Sequence, residues 1–207
     1  MSNSALVDYT RWSPYCRKMT DKKNKKITIH HMAGDLSVEA CGEVFQTRGG
    51  ASNYGIGSDG RVGLYVDESN CAFTSNSTAN DQQAVTIEVA NDIVSGDYHV
   101  SDKALAKLID LCEDICRRNG IEYLNYTGDH NGNMTMHAWF AMTGCPGAYL
   151  SSKFPYIANE VNKRLGVNVR IPDSISKYDV GDEVKVTANA MYYDNVGCPD
   201  WLQGKTL

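Results

Sequence analysis

The residues with the greatest chemical potential are two histidines and a cysteine. In the run Met134-Thr135-Met136-His137-Ala138-Trp139-Phe140-Ala141-Met142-Thr143-Gly144-Cys145-Pro146-Gly147, His137 and Cys145 stand eight positions apart. That separation is too long for one helical turn. The two side chains can still converge when the chain between them folds over, and Gly144-Cys145-Pro146-Gly147 supplies a stop for such a loop. A thiolate with two neutral imidazoles is a good zinc set, and a fourth position left to water marks a catalytic rather than a structural site. His30, in the pair His30-His31, is the candidate for the remaining ligand. A structural zinc site would need a fourth protein donor, and His130 is the histidine near that loop. Taken singly, each residue has a plainer reading as a hydrogen-bonded histidine or a buried thiol. The combination is what points to a metal.

Several elements must position these groups. Lys26-Ile27-Thr28-Ile29-His30-His31-Met32 is a β-branched run ended by Ala33-Gly34, which predicts a strand. Period-two alternation puts Thr28 and His30 on one face and Ile27, Ile29 and His31 on the other, so only one of the two histidines can serve. A helix is predicted over residues 37–47, with Val38, Cys41 and Phe45 inward and Gly49-Gly50 as its stop. Strands at 54–57 and 61–66 are joined through Ser58-Asp59-Gly60, a hairpin-turn signal. Residues 71–83 are rich in Ser, Asn and Thr and read as a long loop. Ala84-Val85-Thr86-Ile87-Glu88-Val89-Ala90 is a strand whose apolar face holds Val85, Ile87 and Val89, which leaves Thr86 and Glu88 on the other. A carboxylate there is either a general base or a surface salt-bridge partner. Ser101 caps a helix that runs to about residue 119 and closes at Gly120. Residues 121–126 predict a short strand, and a last helix is expected over 155–165 with Pro155 at its start. The alternation predicts an α/β fold, a central mixed β-sheet flanked by helices, with a short C-terminal β segment.

Composition narrows the function classes. The 207 residues fit one enzyme domain, expected over 1–170, with a remainder of 171–207 too short for a core of its own. A net charge of −5 argues against nucleic acid as the main partner. No stretch reaches the roughly 20 apolar residues that span a bilayer, so no membrane insertion is expected. The seven cysteines are odd in number and scattered, with no secretory signal, so most read as reduced thiols of a protein made in the cytoplasm. Cys112 and Cys116 share a helical stripe with Leu105, Leu108 and Ile109 and read as small buried hydrophobes.

The sequence resembles the type 2 N-acetylmuramoyl-L-alanine amidases, the family that includes phage and prophage endolysins and the peptidoglycan recognition proteins. Four stretches in family order carry the resemblance: residues 27–33, 52–60, 84–91 and 137–147. The resemblance implies one Zn2+ per chain on His30, His137 and Cys145, Glu88 as general base, and hydrolysis of the bond between muramic acid and L-alanine in peptidoglycan. Many relatives carry a Tyr where this chain has Ser52, and a Lys where it has Thr143. Glu88 therefore carries more of the burden, and Thr143 is a candidate hydrogen-bond donor to the oxyanion. Tyr54, Trp139 and residues 71–83 are candidate groove walls, with the aromatics alternatively in the core. Residues 178–186 and Pro199-Asp200-Trp201-Leu202 resemble the first half of a small SH3-like wall-binding module, which could support self-association. The protein is expected to act on the bacterial cell wall after release. The main rival is a non-catalytic peptidoglycan-binding module of the same fold. Relatives of that kind typically lack the Cys ligand, which Cys145 supplies here.

Overall fold

The computed structural model describes residues 2–20 and 23–167, so the wall-binding and self-association expectations for 171–207 lie outside the described residues. Two short strands, β1 (Tyr9–Thr10) and β2 (Cys16–Lys18), precede β3 (Lys26–His31) and α1 (Val38–Val44). They are followed by β4 (Tyr54–Ile56), β5 (Val62–Leu64), β6 (Asn70–Ala72), α2 (Thr78–Asp81), β7 (Ala84–Val89) and α3 (Asp102–Asn119). Last come β8 (Met134–Met136), one 3-10 turn (His137–Trp139) and α4 (Ala148–Arg164).

One sheet has the order β1-β5-β4-β7-β3-β8, and β2 pairs with β6 apart from it. Only the β4–β5 pair within the large sheet is antiparallel, so the sheet is mixed, as expected. That pair turns through Gly60, whose φ of +87° suits a residue without a Cβ. The central strands are buried on both faces because helices cover a parallel sheet from both sides. Ile27, Ile29, Ile87 and Val89 pack with Leu108, Leu111 and Ile115 of α3 and with Phe154 and Ile157 of α4. On the other face, Met32, Cys41, Phe45 and Tyr65 form a smaller cluster under α1. Tyr65 lies flat across the sheet there: a Cβ built on Gly55 would come within 2.7 Å of its ring, so the ring's place depends on glycine.

Helix ends follow the sequence signals. Ser37 and Ser101 each accept a hydrogen bond from a backbone N–H in the first turn of α1 and α3, and Gly120 closes α3 in the left-handed region at φ 67°. Cys112 and Cys116 are both buried on α3, as their stripe predicted.

Three expectations are corrected. Residues 121–126 form no strand, because their backbone is taken by side chains: Leu124 N–H donates to Asn162 Oδ1, its carbonyl accepts from Asn162 Nδ2, and Asn125 N–H donates to Asn133 Oδ1. Met134–Met136 takes the sheet edge instead, pairing with Ile27–Ile29. Residues 71–83 are not one long loop but hold the end of β6 and all of α2. The final helix begins at Ala148 rather than Pro155, which lies inside it.

Candidate metal centre and catalytic cleft

The site lies at one end of three neighbouring parallel strands. His30 is near the end of β3, and Glu88 is its register partner on β7. His137 follows β8, which pairs with β3 on the other side. Parallel register therefore brings one end of all three strands together without any sequence proximity. Alternation sends Thr28 and His30, Thr86 and Glu88 to one face, and that face is polar under the site. Thr28 and Thr135 share a hydrogen bond of 2.9 Å, Asn80 donates to Thr28, and Thr74 pairs with Thr86 at 3.0 Å. Asp81 anchors this layer by accepting from Ser75 Oγ at 2.5 Å and from the backbone N–H of Thr74.

Cys145 returns to the site through the folded loop. Ala138 N–H donates to the Cys145 carbonyl at 3.0 Å, which closes the chain between His137 and the cysteine. The His31 backbone N–H donates to Cys145 Sγ at 3.4 Å, and the Cys145 N–H donates to Thr143 Oγ1 at 3.2 Å. One donor atom from each of His30, His137 and Cys145 falls within 4.8 Å of the others, and Sγ stands 3.6 Å from His30 Nδ1. Tetrahedral zinc with N and S ligands at about 2.0–2.3 Å would need separations of about 3.3–3.8 Å, so the donors are near binding distance. His30 Nε2 and Glu88 Oε2 are buried with no hydrogen-bond partner in the described structure. Buried polar atoms are rarely left so, and with Nδ1 of His30 turned to Cys145, the Glu88 oxygen is the orphan that fits a water beside a three-donor cluster.

Electrostatics agree with the donor set. Burial lowers the His30 pKa well below its ordinary value, and the neighbouring His137 lowers it further. Burial also lowers His137, which keeps both imidazoles in the neutral form that binds metals. Burial pushes the Cys145 thiol up, with the Glu88 charge adding to it. A bound cation reverses that balance and deprotonates a coordinating thiol. Glu88 is only 8% exposed and its pKa is raised to about 8 by burial, with the Arg48 charge opposing.

A cleft of about 180 Å³ opens here, lined by Glu88, His137, Cys145 and Thr143 together with Arg48, Phe73 and Thr74. Phe73 and Thr74 belong to the segment read as a groove wall. The two aromatic wall candidates do not line this cleft. Tyr54 is fully buried, with its hydroxyl donating to Glu68 at 2.5 Å and accepting from Ser4 N–H, so it is a core residue. Trp139 stacks on Tyr126 with centroids 6.0 Å apart and packs against Phe154. Ser52 is buried, its hydroxyl donating to the Tyr54 carbonyl. His31 makes an edge contact with Tyr98. His130 does not join the cluster, which among the described residues has three protein donors. Two residues that sequence reasoning missed act on the site: Arg48, at the cleft, and Asp81, whose charge raises the His137 pKa. Asp81 is the single charged residue in 71–83, and that was the available signal.

Three metal-binding donors beside a buried carboxylate in an open cleft are the parts of a hydrolase. The family described as N-acetylmuramoyl-L-alanine amidase matches residues 20–148, more than half of the chain, and the chain belongs to that family of enzymes. The cluster of His30, His137 and Cys145 is a possible metal site. Solved structures share the fold. The hydrolase AmiA of Staphylococcus aureus, in complex with its ligand, is similar with a TM-score of 0.60 and 14% identity, over 81% of this chain and 87% of that one. PlyL is similar with a TM-score of 0.58 and 15% identity, over 75% and 96%. The endolysin N-acetylmuramoyl-L-alanine amidase LysCS from Clostridium intestinale URNW has a TM-score of 0.51 and 17% identity, over 80% and 100%. None of the curated proteins compared with the chain matches it. Among the described residues, no helix is long and apolar enough to cross a membrane.

Proposed function

We propose that this chain cleaves the amide bond between N-acetylmuramic acid and L-alanine in bacterial peptidoglycan, with one Zn2+ held by His30, His137 and Cys145 and with Glu88 moving the proton. The observation that carries this reading is the cluster of three donors, two of which, His137 and Cys145, line one cleft with Glu88, whose Oε2 is unpartnered. The cation supplies Lewis-acid polarisation of the lactyl carbonyl and lowers the pKa of water toward ~7. Glu88 Oε2 accepts a proton as the water oxygen bonds to the carbonyl carbon. The same carboxyl then returns that proton to the alanine nitrogen as the C–N bond breaks, leaving a lactyl carboxylic acid and an amine, between which the remaining proton moves to give carboxylate and ammonium. A raised pKa suits this double duty, since the group must hold the proton between the two steps. Thr143 Oγ1 already accepts from Cys145 N–H, so its own O–H is free to donate toward the developing oxyanion. Likeness to endolysin structures supports a lysin acting on the wall after release, and residues 171–207 would add wall affinity.

Mass spectrometry of digested, purified peptidoglycan, with zinc quantified in the same protein, tests the reading. Stem peptides released with a free N-terminal alanine, and about one zinc per chain, are the expected result. Binding to sacculi without any released peptide would favour the non-catalytic module instead.

A further inference from the structure

Arg48 follows α1 in the turn Arg48-Gly49-Gly50, where Gly49 takes a φ of 83°. Gly50 approaches the Phe73 carbonyl so closely that a Cβ would stand 2.9 Å from it, and the next residue, Ala51, donates its N–H to that carbonyl. The turn is thus pinned against the cleft wall, and Arg48 lines the cleft with Glu88, His137 and Cys145. It is the one Lys or Arg among the lining side chains. Arg11, Arg61, Arg117, Arg118 and Arg164 each engage a carboxylate, whereas Arg48 forms no ion pair among the described residues.

Amide hydrolysis builds up negative charge that a further cation at the cleft would stabilise. When water adds to the carbonyl carbon, the C=O π electrons move to oxygen, and an oxyanion forms until the C–N bond breaks. Ser52 cannot help, because its hydroxyl is buried and bonded to the Tyr54 carbonyl. Arg48 lines the same cleft wall as Glu88, His137 and Cys145, which places its charge at the cleft where the carbonyl must react. We propose that Arg48 donates its guanidinium N–H to the oxyanion of the tetrahedral intermediate, acting on the transition state rather than on the bound substrate. The guanidinium keeps its protons throughout, and Glu88 alone carries the transferred one. This inference rests on the amidase reading above.

The test uses the zinc-loaded full chain, a soluble muramoyl peptide as substrate, and a phosphinate that mimics the tetrahedral anion as a binding probe. Arg48→Ala should lower kcat about 10–100-fold at an exposed, partly screened site, with KM changed less than about twofold and zinc content unchanged. Phosphinate affinity, read by calorimetry, should fall by a similar factor, as expected for a transition-state mimic. Arg48→Lys should recover part of both. A raised KM with unchanged kcat would overturn the proposal and assign Arg48 to a carboxylate of the stem peptide. Unchanged kinetics would overturn it as well. If wild type releases no peptide at all, the amidase reading itself fails, and that outcome is distinct from either.

Discussion

Replacing Glu88 with glutamine keeps the shape of the side chain and removes its ability to carry a proton. Two separate consequences follow from its burial. In turnover, loss of a general acid–base group costs about 10²–10⁴ in rate, which is roughly 3–5 kcal/mol of transition-state stabilisation. In the metal-free chain, the raised pKa of about 8 means that the folded state holds the proton more tightly than the unfolded state, where an ordinary carboxyl releases it near 4.5. The native protein therefore binds more protons across that interval, and stability falls as pH rises until it passes about 8. His30 and His137 are depressed instead, so their effect runs the opposite way and ends at their ordinary value of 6.5. From 6.5 to 8 the histidine effect fades and Glu88 dominates, holding up to about 2 kcal/mol at about 1.4 kcal/mol per unit. Chemical denaturation of the chelated protein at several pH values should show a decline in wild type that Glu88→Gln abolishes. With zinc restored, Glu88→Gln should retain its metal but lose kcat. Retention of most of the kcat on purified peptidoglycan would refute the proton-shuttle argument, whatever the stability curves show.

Three further outcomes follow from the packing. His30→Ala should abolish zinc binding and turnover, whereas His31→Ala, which removes an edge contact with Tyr98, should mainly lower Tm; metal titration of the two variants separates them. Arg118→Ala should destabilise by about 3–5 kcal/mol in urea, because Glu68, 1% exposed, loses a paired guanidinium at 2.6 Å and stays buried. Gly55→Ala should cost about 1–3 kcal/mol by pushing Tyr65 off the sheet, measured by the same unfolding assay.

The parts of this fold that are legible in the sequence are those set by local pattern. Lys26–His31, Ala84–Val89 and Asp102–Asn119 carry strong alternation or helical spacing with caps, and each forms as expected. The convergence of His30, His137 and Cys145 was readable from ligand chemistry together with motif order. What was hidden depends on distant partners. Residues 121–126 have strand-like composition, yet Asn162, 38 positions from Leu124, satisfies their backbone from α4. Met134–Met136 is a three-residue strand, too short for periodicity to show. Pro155 resembled a helix start because proline suits a first turn, while the true start at Gly147-Ala148 has no side-chain cap. The placement of Tyr54 could have been read: it shares parity with Ile56, and both face the core. Arg48 and Asp81 reach the site only through the chain path.

The metal assignment is tested most directly by anomalous diffraction collected on either side of the zinc absorption edge, from crystals of protein purified without chelator. A single zinc peak per chain bonded to His30, His137 and Cys145 at about 2.0–2.3 Å, next to the Glu88 carboxyl, is the predicted result. A peak held by other residues, or none in protein that releases stem peptides from peptidoglycan, would contradict it.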